Sequence, residues 1–485
     1  MPVFLSLSAN IYRIFSCSCK TAGTIVSYVI NSNTLRGKYP KIIPPMRFIL
    51  LCLFLLPALI LQGQKGSEKK LAELARLFQE SEVFPKIFAG FALYDPERRE
   101  MAFQKDAEKY YTPASNTKIL TFYTALKVLG DSIPALRYVE KGDTVIFWGT
   151  GNPLFLHPAM PQDSNLLAWL RDTSRQLFFS THNFRDERFG PGWAWDDYAG
   201  YYQAERSSFP IYGNIAFFER DSLGEGFIAC PPYFQHHIAF NPRLDDFRPT
   251  IRRQEHANLF EYNSRALTGL PFSREVPFRC TPGVIAALLS DTLGRPVGLL
   301  DLLNVEPEEA KTLYSPVPDT LYRRLMQDSD NFIAEQLLLA CSEKLTGSIN
   351  SREAIRYAAD SLFRDVPDTL VWRDGSGLSR YNLFTPRSIV SVLELLYREL
   401  PRERLFSTFP AGGVSGTIKE FYAGKKPYVY AKTGTLSNRH CLSGYLLAGS
   451  GKVYIFSFMN NNYLGSSKPV KVEMEKVLRY VRDNF

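Results

Sequence analysis

The sequence predicts an α+β fold in which strands from both ends of the chain form one sheet and a large β-rich insertion interrupts the chain. Strand patterns occur early, at 87–94 and 100–104, and return late, at 442–448 and 453–459. Helical periodicity resumes at residue 321 and recurs up to residue 400. This order of strands, helices and again strands implies one sheet that is assembled from both chain ends.

A helix and a hairpin are the first elements expected after the leader. Leu71, Leu74, Leu77 and Phe78 recur at helical spacing and mark an amphipathic helix. The two early strand patterns are joined across residues 95–99, which predicts a hairpin that leads into the next helix. At the other end of the chain, a last helix with one apolar stripe is expected to pack on the sheet.

The stretch from 134 to 305 differs in character from the rest, because it is rich in short strand patterns, aromatic residues and turns. Roughly 170 residues is a typical domain size, so we expect an inserted β-rich domain at 134–305. The remaining domain is then formed by 64–133 and 306–485. One aromatic cluster in the insertion is a candidate glycan platform, although a small hydrophobic core plus turns is the favoured interpretation. Its members are Trp193, Trp195, Tyr198, Tyr201 and Tyr202.

A hydrophobic leader precedes these elements. Residues 46–63 combine a short basic flank, an apolar run and a small-residue exit, which is the layout of a secretory signal peptide. The run is shorter than the about 20 residues that span a membrane. We therefore expect an exported protein whose membrane contact is limited to the signal sequence or a weak peripheral contact, with a permanent signal anchor as the alternative. Residues 1–45 are interpreted as an upstream extension or a long leader.

Composition and spacing exclude several classes of protein. The 485-residue chain has a net charge of +8 with scattered basic residues, which argues against a nucleic-acid partner. The histidines and cysteines show no metal-ligand spacing, and the glycine-rich loop at 372–382 is not followed by a phosphate-binding lysine. The sequence therefore predicts no metal and no cofactor. Cys341 and Cys441 lie in apolar contexts that suit buried free thiols.

The first candidate catalytic pair lies at the start of a predicted helix. Pro113 is suited to a first helical turn, and apolar residues follow at helical spacing up to Gly130. Ser115 and Lys118 are three residues apart, so their side chains are neighbours on the helix surface. A buried amine that is partly neutral can accept the proton of the serine hydroxyl. For this pair alone, a helix cap and a solvated lysine remain the simpler interpretation.

Two further stretches contribute candidate binding residues. Ser329 and Asn331 lie at a polar joint between two predicted helices, where a tight turn can present both side chains to one cleft; such residues also cap helices. Lys432, Thr433, Gly434 and Thr435 continue a predicted strand.

The ordered set Ser-x-x-Lys, Ser-x-Asn and Lys-Thr-Gly on helix start, turn and strand matches the motifs of β-lactamases and penicillin-binding proteins. With the stretches at 329–338, 374–379 and 432–437, the sequence resembles the serine-type D-alanyl-D-alanine carboxypeptidases/endopeptidases, the low-molecular-mass class C penicillin-binding proteins. The resemblance implies a β-lactamase/transpeptidase-like domain of antiparallel sheet and helices with a large insertion. It also implies periplasmic action on peptidoglycan stem peptides and inhibition by β-lactam antibiotics. The stretch 438–441 departs from the family pattern.

The resemblance also implies a role for each candidate residue. Ser115 is the expected nucleophile, Lys118 its base, and Ser329 the residue that relays a proton to the leaving amine. Lys432 adds positive potential, and Asn331 holds the substrate's peptide amide.

The strand that carries Lys432 supplies the remaining roles. Thr433 is expected to hydrogen-bond the substrate carboxylate, and Gly434 belongs to the same binding strand. The backbone N–H groups of Ser115 and Thr435 are the expected oxyanion donors. Three alternatives stay open: a β-lactamase of the same fold, a serine esterase of the same fold, and a non-catalytic cell-wall binding protein.

Overall fold

The computed structural model describes the chain in five stretches: 68–171, 175–244, 247–268, 271–300 and 309–485. The expected leader lies outside these residues. Lys65–Phe485 form one compact unit. Within the described stretches, no helix combines the length and the apolar character that crossing a membrane requires.

Sixteen strands lie in the described residues and are numbered here in chain order. They are β1 (Phe88–Asp95), β2 (Glu100–Lys105), β3 (Ser132–Lys141), β4 (Thr144–Gly149), β5 (Gln176–Ser180), β6 (Ile215–Arg220), β7 (Phe227–Cys230), β8 (Ile238–Phe240), β9 (Ile251–Arg253), β10 (Phe260–Tyr262), β11 (Ser273–Pro277), β12 (Val297–Leu300), β13 (Lys311–Pro316), β14 (Val429–Leu436), β15 (Arg439–Leu447) and β16 (Val453–Asn461).

The α-helices of the described residues are numbered in the same way. They are α1 (68–79), α2 (Lys118–Leu129), α3 (Ser164–Arg171), α4 (Pro282–Leu293), α5 (Asp319–Arg323), α6 (Asn331–Thr346), α7 (Ser351–Tyr357), α8 (Pro386–Glu399), α9 (Arg402–Thr408) and α10 (Lys468–Asn484).

The main sheet is antiparallel and has the order β14-β15-β16-β1-β2. The early strand β1 pairs with the late strand β16, with Phe91 opposite Phe458, so the sheet is assembled from both chain ends as the sequence predicts. Helices cover both faces: α2, α6 and α8 pack with one apolar cluster, and α1 and α10 pack with another. Strands β15 and β16 are buried along nearly their whole length because both faces are covered.

A second group of sheets surrounds a separate apolar cluster. Its largest sheet has the order β12-β5-β4-β3-β13, and two three-stranded sheets have the orders β11-β6-β7 and β8-β10-β9. Strand β3 begins directly after α2 ends at Gly130, whose φ of 67° suits glycine. Strands β3 and β13 pair with each other, so this sheet spans 132–316. The division of the chain at 134–305 stays a prediction.

The aromatic cluster at 193–202 contains both buried and exposed rings. Trp195 is 74% exposed and Tyr201 is 62% exposed, whereas Tyr198 is buried beneath the Arg253 guanidinium. The two exposed rings belong to short 3-10 turns, Trp195–Asp197 and Tyr201–Gln203, that run over the surface. The cluster thus divides into one buried ring and surface turns, which is what the favoured interpretation of a small core plus turns expects.

Replacing Phe458 by Ala is expected to lower the free energy of unfolding by about 3–5 kcal/mol, the usual cost of removing a buried phenyl ring. Phe458 is fully buried, and its ring centroid lies 4.9 Å from that of Phe91 and 5.3 Å from that of Phe84. Phe88→Ala is the matched control, because Phe88 lies in the same sheet but is 62% exposed. Urea denaturation of both variants measures the difference, and equal losses would contradict this packing.

Candidate active site

The predicted nucleophile lies in a 3-10 turn and not in the first turn of an α-helix. Ser115 belongs to the turn Ala114–Thr117, and the α-helix α2 begins only at Lys118. The predicted helix start is therefore a 3-10 turn that runs directly into α2, and side chains at i and i+3 also align in a 3-10 turn. The Lys118 Nζ lies 2.9 Å from the Ser115 Oγ.

The Lys118 side chain is completely buried and all its donors have partners. Its Nζ donates to the Ser115 Oγ at 2.9 Å, the Asn331 Oδ1 at 2.6 Å and the Ser376 carbonyl oxygen at 2.6 Å. Burial disfavours the charged amine and lowers the pKa of Lys118 to about 8, although the nearby carboxylates, Asp374 first, oppose this change. The amine is therefore held in place and loses its proton more easily than an exposed lysine.

A buried pair of acids supports the contact between Lys118 and Ser376. The Ser376 backbone N–H donates to the Glu335 Oε1 at 2.7 Å, so the peptide groups before and after Ser376 are each fixed by a buried side chain. Burial and the neighbouring Asp374 raise the pKa of Glu335 to about 7. Asp374 fixes the same loop by accepting from the backbone N–H groups of Gly377 at 3.0 Å and Ser379 at 2.7 Å.

Sequence reasoning assigned no role to these acids. The sequence signal that could have indicated a buried acid is Glu335, because it is a charged residue within the apolar run of α6. A carboxylate there needs a partner, which the sequence does not identify.

The second and third predicted stretches meet across the cleft. Ser329 follows a turn of π-helix with a φ of 61°, a left-handed conformation that is uncommon outside glycine. The Lys432 Nζ donates to the Ser329 Oγ at 2.8 Å and to the Thr433 carbonyl oxygen at 2.8 Å. Burial, and then repulsion from Lys118, hold the pKa of Lys432 well below its ordinary value. The site therefore contains two serine–lysine pairs.

Asn331 connects Lys118 to the backbone of Tyr202 through two hydrogen bonds. Its Oδ1 accepts from Lys118, while its Nδ2 donates to the Tyr202 backbone carbonyl oxygen at 2.8 Å. The sequence did not predict the contact with Tyr202, because a main-chain oxygen leaves no signature in the residue type.

Glycine allows β14 to approach the nucleophile closely. A Cβ on Gly434 would overlap the Pro113 carbonyl oxygen and lie 3.0 Å from the Ser115 backbone nitrogen. The Asn116 Nδ2 donates to the Lys432 carbonyl oxygen at 2.9 Å and fastens strand and turn together. The backbone of β14 therefore passes directly beside Ser115.

Strand alternation directs the Thr435 backbone towards the cleft. β14 is an edge strand, and the Ala431 N–H donates away from the sheet, to the Pro410 carbonyl oxygen at 3.0 Å. Alternate residues of a strand point the same way, so the Thr435 N–H lies on the free edge. The Thr435 hydroxyl is 2.9 Å from the His440 Nδ1. Burial lowers the pKa of His440 to about 3, so this ring is neutral.

The stretch that departs from the family pattern lies behind the binding strand. His440 contacts Thr435, and the buried Cys441 lies with its Sγ 3.6 Å from the Thr112 carbonyl oxygen. The four cysteines of the described residues, including Cys341, are free thiols. Cys341 and Cys441 are buried, as the sequence predicts.

The predicted residues surround a cleft of about 800 Å³. Ser115, Ser329, Asn331 and Thr435 line it, whereas Lys118 and Lys432 are buried beneath its floor. Another part of the cleft lining comes from the surface turns at 194–202. That part includes Ala194, Asp196, Asp197, Tyr201 and Tyr202.

A buried amine against a serine hydroxyl, with a second serine–lysine pair across the cleft, is the arrangement of a serine nucleophile with a candidate base beside it, which is typical of serine hydrolases. The family model of the D-Ala-D-Ala carboxypeptidase 3 (S13) family matches residues 70–481. The chain belongs to this family and is a serine-type D-Ala-D-Ala carboxypeptidase.

Two curated relatives are similar over most of their length. D-alanyl-D-alanine carboxypeptidase DacB of Haemophilus influenzae is 26% identical over 435 residues, which cover 82% of this chain and 90% of that protein. D-alanyl-D-alanine carboxypeptidase of an Actinomadura species is 25% identical over 446 residues, which cover 79% of each chain.

Solved structures share the fold. The crystal structure of penicillin binding protein 4 from Haemophilus influenzae matches with a TM-score of 0.67 and 21% identity, covering 84% of this chain and 99% of that one. The same protein complexed with a novel β-lactam matches with a TM-score of 0.62 and 20% identity over the same shares. The predicted α+β fold of the penicillin-binding class is thereby confirmed.

Gly434→Ala is expected to slow acylation by benzylpenicillin at least about tenfold, because the added methyl group forces β14 away from Ser115 and overpacking typically costs about 1–3 kcal/mol. Gly283→Ala is the control, since a Cβ at the exposed Gly283 meets nothing nearer than 4.0 Å. Intact-protein mass spectrometry follows the adduct over time. Equal acylation rates in the two variants would show that the close approach is not needed.

Proposed function

We propose that Ser115 attacks the carbonyl carbon of the terminal D-Ala-D-Ala bond, with Lys118 as its base, and forms an acyl-enzyme while D-alanine leaves. The observation that carries this proposal is the 2.9 Å contact between the Lys118 Nζ and the Ser115 Oγ in a buried setting. Water then hydrolyses the acyl-enzyme.

The partners of Lys118 support its role as base. A neutral amine has two N–H donors and one lone pair. The carbonyl oxygens of Asn331 and Ser376 accept hydrogen bonds from the Nζ and take up both donors. The lone pair then remains for the third neighbour, the Ser115 hydroxyl, so deprotonation of Lys118 turns the same geometry into a proton acceptor.

The second pair supports proton return to the leaving group. In this proposal the Ser329 hydroxyl carries a proton towards the departing amine, and Lys432 orients that hydroxyl through the 2.8 Å contact. The Lys118 and Lys432 amines repel each other only while both are charged, so a neutral Lys118 removes the repulsion that helps to lower the pKa of Lys432. Deprotonation of Lys118 therefore makes it easier for Lys432 to keep its proton.

The remaining roles concern binding. The backbone N–H groups of Ser115 and Thr435 would stabilise the developing oxyanion, since Gly434 lets the two backbones approach closely. Asn331 keeps one Nδ2 hydrogen available for the substrate's peptide amide, because the other is donated to Tyr202. Thr433 lies beside Lys432, whose charge would attract the substrate carboxylate.

The proposal also covers the substrate and the cellular location of the protein. We propose peptidoglycan stem peptides as substrates, with endopeptidase action on cross-links beside carboxypeptidase action, and export to the bacterial periplasm. β-Lactam antibiotics would acylate Ser115. The test is incubation with a D-Ala-D-Ala pentapeptide and with cross-linked muropeptide, followed by measurement of released D-alanine and of muropeptide monomer. Release of neither product would refute the proposal.

Ser115→Ala and Lys118→Met are each expected to abolish the benzylpenicillin adduct seen by intact-protein mass, because one removes the nucleophile and the other its base. Lys127→Met is the matched control, since Lys127 lies on the same helix, is partly exposed and contacts Glu399. This control is expected to acylate at the wild-type rate. An adduct of unchanged yield on Ser115→Ala would place the nucleophile elsewhere.

The acylation rate is expected to rise with pH and to level off above about 8, because only the neutral Lys118 amine accepts the serine proton. The pKa of Lys118 is lowered to about 8 by burial, so the neutral fraction grows about tenfold per pH unit below that value. Stopped-flow or quenched mass measurements from about pH 6 to pH 10 provide the profile. A rate that falls across this range would contradict the assignment of Lys118.

A further inference from the structure

A loop outside the three motifs is fastened to the free edge of β14. The Ala431 N–H donates to the Pro410 carbonyl oxygen at 3.0 Å, and the Gly412 N–H donates to the Val429 carbonyl oxygen at 2.9 Å. The loop therefore runs alongside the strand that carries Lys432 and Thr433. It continues into the short 3-10 turn Gly416–Ile418.

The same loop packs against the segment that carries Ser329. Gly416 has a φ of 62°, and a Cβ there would lie 3.0 Å from the Gln327 carbonyl oxygen and 2.9 Å from the Pro410 Cβ. The Gln327 Nε2 also donates to the Ser407 carbonyl oxygen at 2.8 Å. The loop is thus held from two sides, so the position of Thr417 is fixed relative to both Ser329 and Lys432.

Thr417 places a hydroxyl beside the cleft. The Thr433 Oγ1 donates to the Thr417 Oγ1 at 2.7 Å, and Thr417 is exposed while Thr433 is partly exposed. Thr435, two residues along on the same side of the strand, lines the cleft. The two hydroxyl groups carry two protons, and the hydrogen bond between them uses only one. Within the described part of the chain, no protein acceptor takes the other.

We propose that Thr417 is a substrate-binding residue, which together with Thr433 forms a two-hydroxyl site for the carboxylate of the leaving D-alanine. The inference rests on the proposed function. An ionised carboxylate only accepts hydrogen bonds, so it suits a pair that has one proton to give. A hydrogen bond to a charged group is stronger than one between neutral groups. Thr433 therefore does not bind the carboxylate alone.

The test compares substrates with and without the carboxylate. Thr417→Val removes the hydroxyl and keeps the shape, and Thr417→Ser keeps a hydroxyl. On an acylated Lys-D-Ala-D-Ala tripeptide, Thr417→Val is expected to lower kcat/KM about tenfold or more, and Thr417→Ser is expected to stay within about threefold of wild type. On the same peptide ending in D-alaninamide, Thr417→Val is expected to match the wild-type rate within about twofold.

Ser415→Ala is the loop control, since the Ser415 hydroxyl only accepts the loop's own Ala411 N–H at 3.2 Å. It is expected to leave both substrates unaffected. Equal losses of Thr417→Val on the acid and the amide, or no loss on either, would overturn the inference. Wild-type protein that released D-alanine from neither substrate would instead refute the proposed function, so the two failures are distinguishable.

Discussion

The structure depends on one constraint, the burial of the Lys118 amine where it can still lose and regain a proton. An isolated ammonium in such a setting is costly, and burial alone would favour permanent loss of its proton. The acids Asp374 and Glu335 oppose that effect, and two carbonyl oxygens fix the direction of the N–H bonds. The balance between desolvation and nearby negative charge sets the pKa close to the range in which a base is most useful.

The second constraint is distance, because the site is built from segments that are far apart in sequence. Gly434 and Gly377 both approach the turn that holds Ser115, each so closely that a Cβ would collide with backbone. Rigid surroundings are needed to keep these short distances between backbones constant. The paired strands β1 and β16, and helices on both faces of the main sheet, provide that rigidity.

Local patterns explain what the sequence could predict. The hairpin of β1 and β2, the helix that ends at Gly130 and the neighbouring pair Ser115 and Lys118 all depend on residues a few positions apart. The family resemblance joined distant motifs, and the structure brings those motifs together.

Contacts without a local signature could not be predicted. Asp374 and Glu335 act on Lys118 although each lies hundreds of residues away in sequence, and Thr417 meets Thr433 through a loop with no recognised motif. Residue type also does not tell which ring of the aromatic cluster faces a core and which, such as Trp195, faces solvent.

The hydrogen bond from Asn331 to the Tyr202 carbonyl oxygen has a consequence for how the insertion can vary. A main-chain oxygen is present whichever amino acid occupies the position, so substitutions there can alter the surface offered to ligands without deleting the acceptor. Shortening or re-routing the backbone, in contrast, would remove it. The side chains of this segment can therefore vary during evolution. Its backbone course is constrained, because it orients the Asn331 amide in the active site.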